Sequence, residues 1–108
     1  MVRNNIFYNK RTGTGKNYAI YRNYLYTSYD IGVCNYNNLY SADPTTLGRW
    51  NYYGSDLTFA QWKAASGQDA NSKNAMVKFL SPATNLLIDA STNCALDGAA
   101  QPNIGVIY

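Results

Sequence analysis

Apolar and polar residues alternate over short runs along most of this 108-residue chain, and the runs end at Asn, Asp, Gly or Pro. Short runs with these boundary residues are typical of β-strands. Residues 31–40 are predicted as a strand pair or one bent strand, because Gly32 favours a bulge or a corner. Including that segment, the pattern predicts strands at residues 4–9, 18–22, 24–26, 31–40, 50–53, 76–80, 85–89 and 104–108.

One stretch near the middle of the chain has the signals of an α-helix instead. Thr58 and Gln61 have the spacing of a capping box, in which each side chain bonds to the backbone N–H of the other residue. Leu57 and Trp62 have the spacing of the apolar pair that packs across the start of a helix. Gly67 can adopt the left-handed conformation that commonly ends a helix. These signals predict one short helix within a strand-rich chain.

The predicted helix, around residues 58–66, has only about two turns. A helix shorter than about 12 residues is marginally stable in water unless it packs on other elements. Phe59 and Trp62 are therefore expected to dock the helix on the strands.

Composition and spacing favour a stacked arrangement of those strands. The chain has eleven Tyr, and its six acidic residues are all Asp. A short unit recurs loosely three times, at residues 5–8, 23–26 and 38–40. Each copy begins with Asn and continues with an Ile or Leu beside an aromatic residue. In a β-solenoid, side chains at one corner lie above one another and hydrogen-bond along the stack, whereas a sandwich gives no reason for this recurrence.

Several segments resemble the C-terminal coils of secreted bacterial right-handed parallel β-helix proteins, of the pectin-lyase-like superfamily. Those proteins often carry a Leu-x-x-Trp-x-x-x-x-Gly-x-Asp-x-x-Ser segment, and here Trp62, Gly67, Asp69 and Ser72 occur in that order. Residues 102–106 resemble a late Pro-Asp-Ile-Gly-Ala strand of the family, with two departures. The other resembling segments are residues 4–9, 18–21 and 35–40, and residues 76–80 with 85–86, which resemble the coil that usually follows the helix.

The resemblance implies an all-β fold, a right-handed parallel β-helix (solenoid) fragment with one short α-helix inserted around residues 58–66. The chain is then one partial domain over residues 1–108, from a longer extracellular or cell-surface protein. Uncapped solenoid ends expose apolar surface and strand edges, so self-association is expected.

The expected role is a structural, carbohydrate-associated segment of an extracellular bacterial β-helix protein, without a complete active site. Two alternatives are part of a polysaccharide lyase or glycoside hydrolase with its catalytic residues upstream, and a small adhesin or interaction module. Aromatic rings stack on the apolar faces of sugars, although stacked rings also simply stabilise a solenoid. The candidate sugar-binding residues are Tyr24, Tyr26, Tyr29, Tyr52 and Tyr53.

No catalytic residue or cofactor is predicted. Glycoside hydrolysis uses two carboxyl groups about 5–10 Å apart, and histidine chemistry is excluded because the chain has no His. Calcium prefers six or more oxygen ligands, so calcium binding is left open without a supporting motif. The six acidic residues all fall at turns or element ends, where Asp is common: Asp30, Asp43, Asp56, Asp69, Asp89 and Asp97.

The sequence gives no support for nucleic-acid binding, a membrane span or a phosphate-binding loop, and it leaves the state of the cysteines open. The net charge is +3 and the nine basic residues are scattered along the chain, with only Lys10 and Arg11 adjacent, which is not the basic stripe expected of a nucleic-acid-binding protein. No apolar run reaches the length of about 18 residues expected of a membrane span. Residues 13–16 lack the spacing of a phosphate-binding loop and are predicted as a surface turn. Cys34 and Cys94 are either two thiols or one disulfide.

Overall fold

A computed structural model describes residues 1–22, 34–50 and 54–100. The described elements are one α-helix, two short 3-10 helices at Pro44–Thr46 and Cys94–Leu96, and a set of short strands. In chain order, the strands and the helix are β1 (Val2–Arg3), β2 (Ile6–Asn9), β3 (Ile20–Arg22), β4 (Cys34–Asn35), β5 (Asn38–Ser41), β6 (Gly48–Trp50), β7 (Asp56–Leu57), α1 (Phe59–Ser66), β8 (Phe79–Ser81) and β9 (Asn85–Ile88).

The described strands form four small sheets of two or three strands each. Three pairs are parallel, namely β1 with β4, β2 with β5 and β3 with β6. Strand β7 adds to β6 in the antiparallel direction and completes a three-stranded sheet. Strands β8 and β9 form a separate antiparallel hairpin.

The prediction of a right-handed parallel β-helix is wrong. The described sheets are small and mixed, and none of them closes or forms a solenoid. The hairpin explains the difference, because Thr84 N–H donates to the Ser81 carbonyl at 3.0 Å and reverses the chain within a few residues. A parallel pair would need a crossover of about a dozen residues or more. The described part is a small strand-rich globule with one helix.

Most individual strand predictions within the described residues are confirmed. The segments at residues 4–9 and 18–22 contain β2 and β3, and the bent segment at residues 31–40 contains β4 and all of β5 except Ser41. The segments at residues 76–80 and 85–89 contain the first two residues of β8 and all of β9. The strands predicted at residues 24–26 and 104–108, and residues 51–53 of another, lie outside the described residues.

The predicted helix is confirmed together with its capping signals. Helix α1 begins after Thr58, whose side chain accepts from Gln61 N–H, while the Gln61 side chain accepts from Thr58 N–H at 2.9 Å. It ends at Gly67, whose φ of 63° is the left-handed conformation that glycine adopts without a Cβ clash. Trp62 is fully buried, so the helix docks on the strands as expected.

The main core lies between α1 and the strands that flank it. Leu39, Leu47 and Trp62 are fully buried at its centre. Gly48 is required beside them, because a Cβ there would lie 2.9 Å from the Trp62 ring. Partly buried residues complete the cluster: Phe7, Ala19, Ile20, Trp50, Leu57 and Phe59.

Candidate functional site

The two faces of the three-stranded sheet carry different chemistry. Side chains alternate between faces along a strand, and Ile20, Gly48 and Leu57 form one row against the core. The next row consists of Tyr21, Arg49 and Asp56, which are register partners across β3, β6 and β7. Tyr21 is 46% exposed, so this second row lies on the outer face of the sheet.

Two residues from the preceding loop complete this outer row. The Tyr18 hydroxyl donates to Asp56 Oδ1 at 2.5 Å, and its ring stacks on Tyr21 with centroids 5.7 Å apart. Lys16 Nζ lies 2.6 Å from Asp56 Oδ2. Arg49 Nη1 donates to the Tyr18 hydroxyl at 3.4 Å and lies 3.9 Å from Asp56 Oδ1. We call Lys16, Tyr18, Tyr21, Arg49 and Asp56 the sheet-face cluster.

The electrostatics of the sheet-face cluster keep its carboxylate ionised. The pKa of Asp56 lies below its usual value, first because of the hydrogen bond from Lys16 and next because of the one from Tyr18. The same bond to Asp56 is the main reason that the pKa of Lys16 is raised. The pKa of Arg49 is raised, chiefly by its hydrogen bond to Tyr18. The cluster therefore combines two cations, one anion and two phenol rings.

This arrangement is suited to binding a polar ligand with an apolar face. A Tyr pair offers flat apolar area with a hydroxyl at its edge, and Lys and Arg supply hydrogen-bond donors beside it. The cluster contains a single carboxylate held in its ionised form, whereas glycoside hydrolysis uses one protonated and one ionised carboxyl group.

The five Tyr residues predicted from sequence as sugar-binding lie outside the described residues: Tyr24, Tyr26, Tyr29, Tyr52 and Tyr53. Of the six Asp residues, Asp56 belongs to the sheet-face cluster and Asp69 is buried elsewhere. Within the described ranges, no group of three or more His, Cys, Asp or Glu side chains could hold a metal ion.

Sequence reasoning missed the sheet-face cluster because its members are brought together by strand register. Tyr21 and Arg49 are aligned by the parallel pairing of β3 with β6, and Asp56 by the antiparallel pairing of β6 with β7. The available signal was the position of each residue next to an apolar residue of its own strand. That alternation indicates an outward side chain and leaves its neighbours across the sheet undetermined.

The Trp-Gly-Asp-Ser segment, the most specific part of the family resemblance, forms a buried hydrogen-bond network. Trp62 Nε1 donates to Asp69 Oδ2 at 3.0 Å, and Ser72 Oγ donates to Asp69 Oδ1 at 2.7 Å. Asn37 Nδ2 also donates to Asp69 Oδ1, at 3.1 Å. Asp69 is 1% exposed, so its carboxylate is committed to these internal bonds and stabilises the fold.

The network extends to the first strands through asparagine side chains. Asn37 Oδ1 accepts from Asn5 N–H at 3.1 Å and from Asn5 Nδ2 at 3.3 Å. Asn38, which precedes Leu39 in the recurring unit, bonds instead to the backbone of Ala75. The two recurring Asn residues that the structure describes therefore make different contacts: Asn5 bonds to the Asn37 side chain, and Asn38 bonds to the Ala75 backbone.

No disulfide joins the two cysteines, of which Cys34 is buried and Cys94 is exposed. Among the described helices, none has the length and apolar character needed to cross a bilayer. Comparisons with known protein families, with curated proteins and with solved structures find no match to this chain. The pectin-lyase-like resemblance therefore stays a prediction drawn from its residues.

Proposed function

We propose that this chain is a structural, carbohydrate-binding segment and that the sheet-face cluster contacts the sugar. The observation that carries the proposal is the stacked pair of Tyr18 and Tyr21 beside charged groups on an open sheet face. The extracellular or cell-surface location implied by the family resemblance is part of the proposal, because polysaccharides are abundant there.

The geometry of the aromatic pair supports sugar stacking. The two rings are stacked at an angle of 26°, and Tyr21 is 46% exposed, so the pair presents part of the Tyr21 ring to solvent. The C–H groups of a sugar ring are apolar on one face, and its hydroxyls point outward around the edge. With the apolar face on Tyr21, hydroxyls at the edge would come near the charged groups of Arg49 and Lys16.

Preorganisation of the polar groups supports the same proposal. Asp56 holds Lys16 and Tyr18 in place through short contacts, and β6 places Arg49 beside them. Ordering long side chains costs about 0.5–1.5 kcal/mol each when a ligand binds. Side chains that are already fixed by Asp56 avoid part of that cost, so the role of this carboxylate is positioning.

Binding to a panel of immobilised polysaccharides tests the proposal. We expect Tyr21→Ala to weaken binding about three- to tenfold, because a stacked aromatic contact contributes about 0.5–1.5 kcal/mol beyond the area it buries. Tyr21→Phe keeps the ring and is expected to retain most of the affinity.

Tyr36→Asn is the matched control, because it removes a Tyr side chain outside the sheet-face cluster. Asn suits the positive φ of 57° at that position better than Ala would. Absence of binding to every polysaccharide would refute the proposal. Equal losses for Tyr21→Ala and Tyr36→Asn would assign the binding to another surface.

A further inference from the structure

A concave surface lies beside the β8–β9 hairpin and shares no lining residue with the sheet-face cluster. It encloses about 310 Å³, near the lower end of the range of about 300–1,000 Å³ for small-molecule sites. We call it the hairpin cleft. Its lining residues come from β2 and its following loop, from the segment before β8 and from the hairpin, and they include Tyr8, Lys10, Met76, Lys78, Phe79 and Asp89.

The walls of the hairpin cleft are apolar and partly fixed by ring contacts. The Tyr8 ring stacks on Tyr40 with centroids 4.9 Å apart and an angle of 15° between planes. Phe79 packs against Tyr8 in a T-shaped arrangement at 5.6 Å. Burial, followed by the proximity of Tyr40, raises the pKa of the Tyr8 phenol. Met76 is 53% exposed and leaves a flexible apolar wall open to a ligand.

The rim of the hairpin cleft carries an excess of positive charge. Lys10 and Lys78 are exposed, and neither forms an ion pair with a carboxylate of residues 1–22, 34–50 or 54–100. The third charged lining group is Asp89, whose carboxylate accepts from Ser91 N–H at 3.1 Å and from Ser91 Oγ at 2.6 Å. Two cations therefore stand against one anion that is already hydrogen-bonded.

We propose that the hairpin cleft binds a free amphipathic anion, such as a medium-chain carboxylate. Its hydrocarbon chain would lie between Tyr8, Met76 and Phe79, and its carboxylate would lie at the rim near Lys10 and Lys78. Charge complementarity selects an anion over an amine of the same chain length, because the amine would meet the two lysines. This site is independent of the carbohydrate-binding proposal and shares no residue with it.

Titration of the whole chain with octanoate below its micelle concentration tests the inference. The chain has two Met residues, so methyl labelling with carbon-13 gives one signal from Met76 in the cleft and one from Met1 as an internal reference. We expect a saturable shift of the Met76 signal with octanoate and a weaker or absent one with octylammonium. Each added methylene is expected to tighten binding about two- to fourfold, as burial of a CH₂ group predicts.

Charge variants separate the cleft from nonspecific attraction to a basic protein. Lys10→Gln and Lys78→Gln are each expected to weaken octanoate binding about two- to fivefold, as for exposed ion pairs. Lys73→Gln removes the same charge from an exposed residue that does not line the cleft and is expected to leave binding unchanged. Circular dichroism of each variant confirms that the fold is retained.

Three outcomes would overturn the inference. They are equal shifts with octanoate and octylammonium, equal effects of Lys73→Gln and the two cleft variants, and the absence of a saturable Met76 shift. Failure of polysaccharide binding would leave these results unaffected, because the two experiments probe different residues.

Discussion

At the residue scale, the buried carboxylate of Asp69 links three separate parts of the described structure. It accepts hydrogen bonds from Trp62, Ser72 and Asn37. Asp69 also adopts a positive φ of 58°, a conformation that Asp tolerates better than most residues. The hydrogen bonds to the carboxylate and the positive φ thus both favour Asp at this position.

The bond between Trp62 and Asp69 predicts the effect of a conservative substitution. Trp62→Phe keeps an aromatic ring but removes the only N–H of the side chain, and it leaves Asp69 Oδ2 without that donor. We expect the free energy of unfolding to fall by about 2–4 kcal/mol, combining a lost bond to a charged group with a small cavity. Urea denaturation followed by circular dichroism measures the change.

A double-mutant cycle with Asp69→Asn checks the cause. If the bond is responsible, the double variant should lose about 0.5–3 kcal/mol less than the sum of the single losses. Strict additivity would show that the two side chains contribute separately. Leu87→Ala, at a position that is 63% exposed, should change stability by no more than about 0.5 kcal/mol.

At the element scale, the contact of α1 with β6 depends on a residue without a side chain. A Cβ at Gly48 would lie 2.9 Å from the Trp62 ring and 3.0 Å from Ile20 Cγ2. The Trp62 ring can approach β6 this closely because Gly48 has no side chain.

Gly48→Ala is therefore expected to destabilise the protein by about 1–3 kcal/mol, the usual cost of overpacking a core. Gly15→Ala is a matched control, because a Cβ there meets nothing within 4 Å. Thermal unfolding of both variants measures the difference. A loss at Gly48 no larger than that at Gly15 would mean that the helix shifts freely on the strand.

The elements also show how far sequence reasoning reaches. Helix α1 was predictable because its capping box and its Gly67 end depend on residues a few positions apart. The direction of strand pairing was not predictable, because apolar alternation is the same in parallel and antiparallel strands that bury one face. The solenoid prediction failed at β8–β9 for that reason, and the sheet-face cluster was missed because it depends on register.

At the scale of the whole molecule, the sheet-face cluster joins distant parts of the chain. Tyr18 and Asp56 are separated by 38 positions in sequence and are linked by a hydrogen bond. Self-association was predicted from the uncapped ends of a solenoid. It stays a prediction, although the described sheets do not form a solenoid. The exposed apolar side chains of the hairpin include Leu80, Leu86 and Leu87.

The depressed pKa of Asp56 predicts how stability depends on pH. The folded protein holds this proton less tightly than the unfolded chain does, so the stabilisation is fully present above the unfolded pKa of about 3.9. It is lost as the pH falls through the lower folded value. Asp56→Asn should therefore be less stable than the wild type at pH 7, by up to about 1 kcal/mol, and the gap should close below about pH 4.

Urea midpoints for the two proteins at pH 7, 4 and 2.5 measure the gap. Asp97→Asn removes the same charge at an exposed turn and is expected to have little effect at any of these values. A gap for Asp56→Asn that persists unchanged to pH 2.5 would show that the ion pair with Lys16 is not its source.

Hydrogen exchange of the buried Trp62 indole proton is expected to report the opening of the core. Its N–H is bonded to a carboxylate that is also tied to Asn37 and Ser72, so deuterium from solvent reaches it only when these segments separate together. Exchange of such a proton follows the least costly opening that exposes it, and here that opening must separate several segments at once. The indole proton should therefore outlast the backbone amides of the hairpin, and its exchange rate should report the free energy of opening the core.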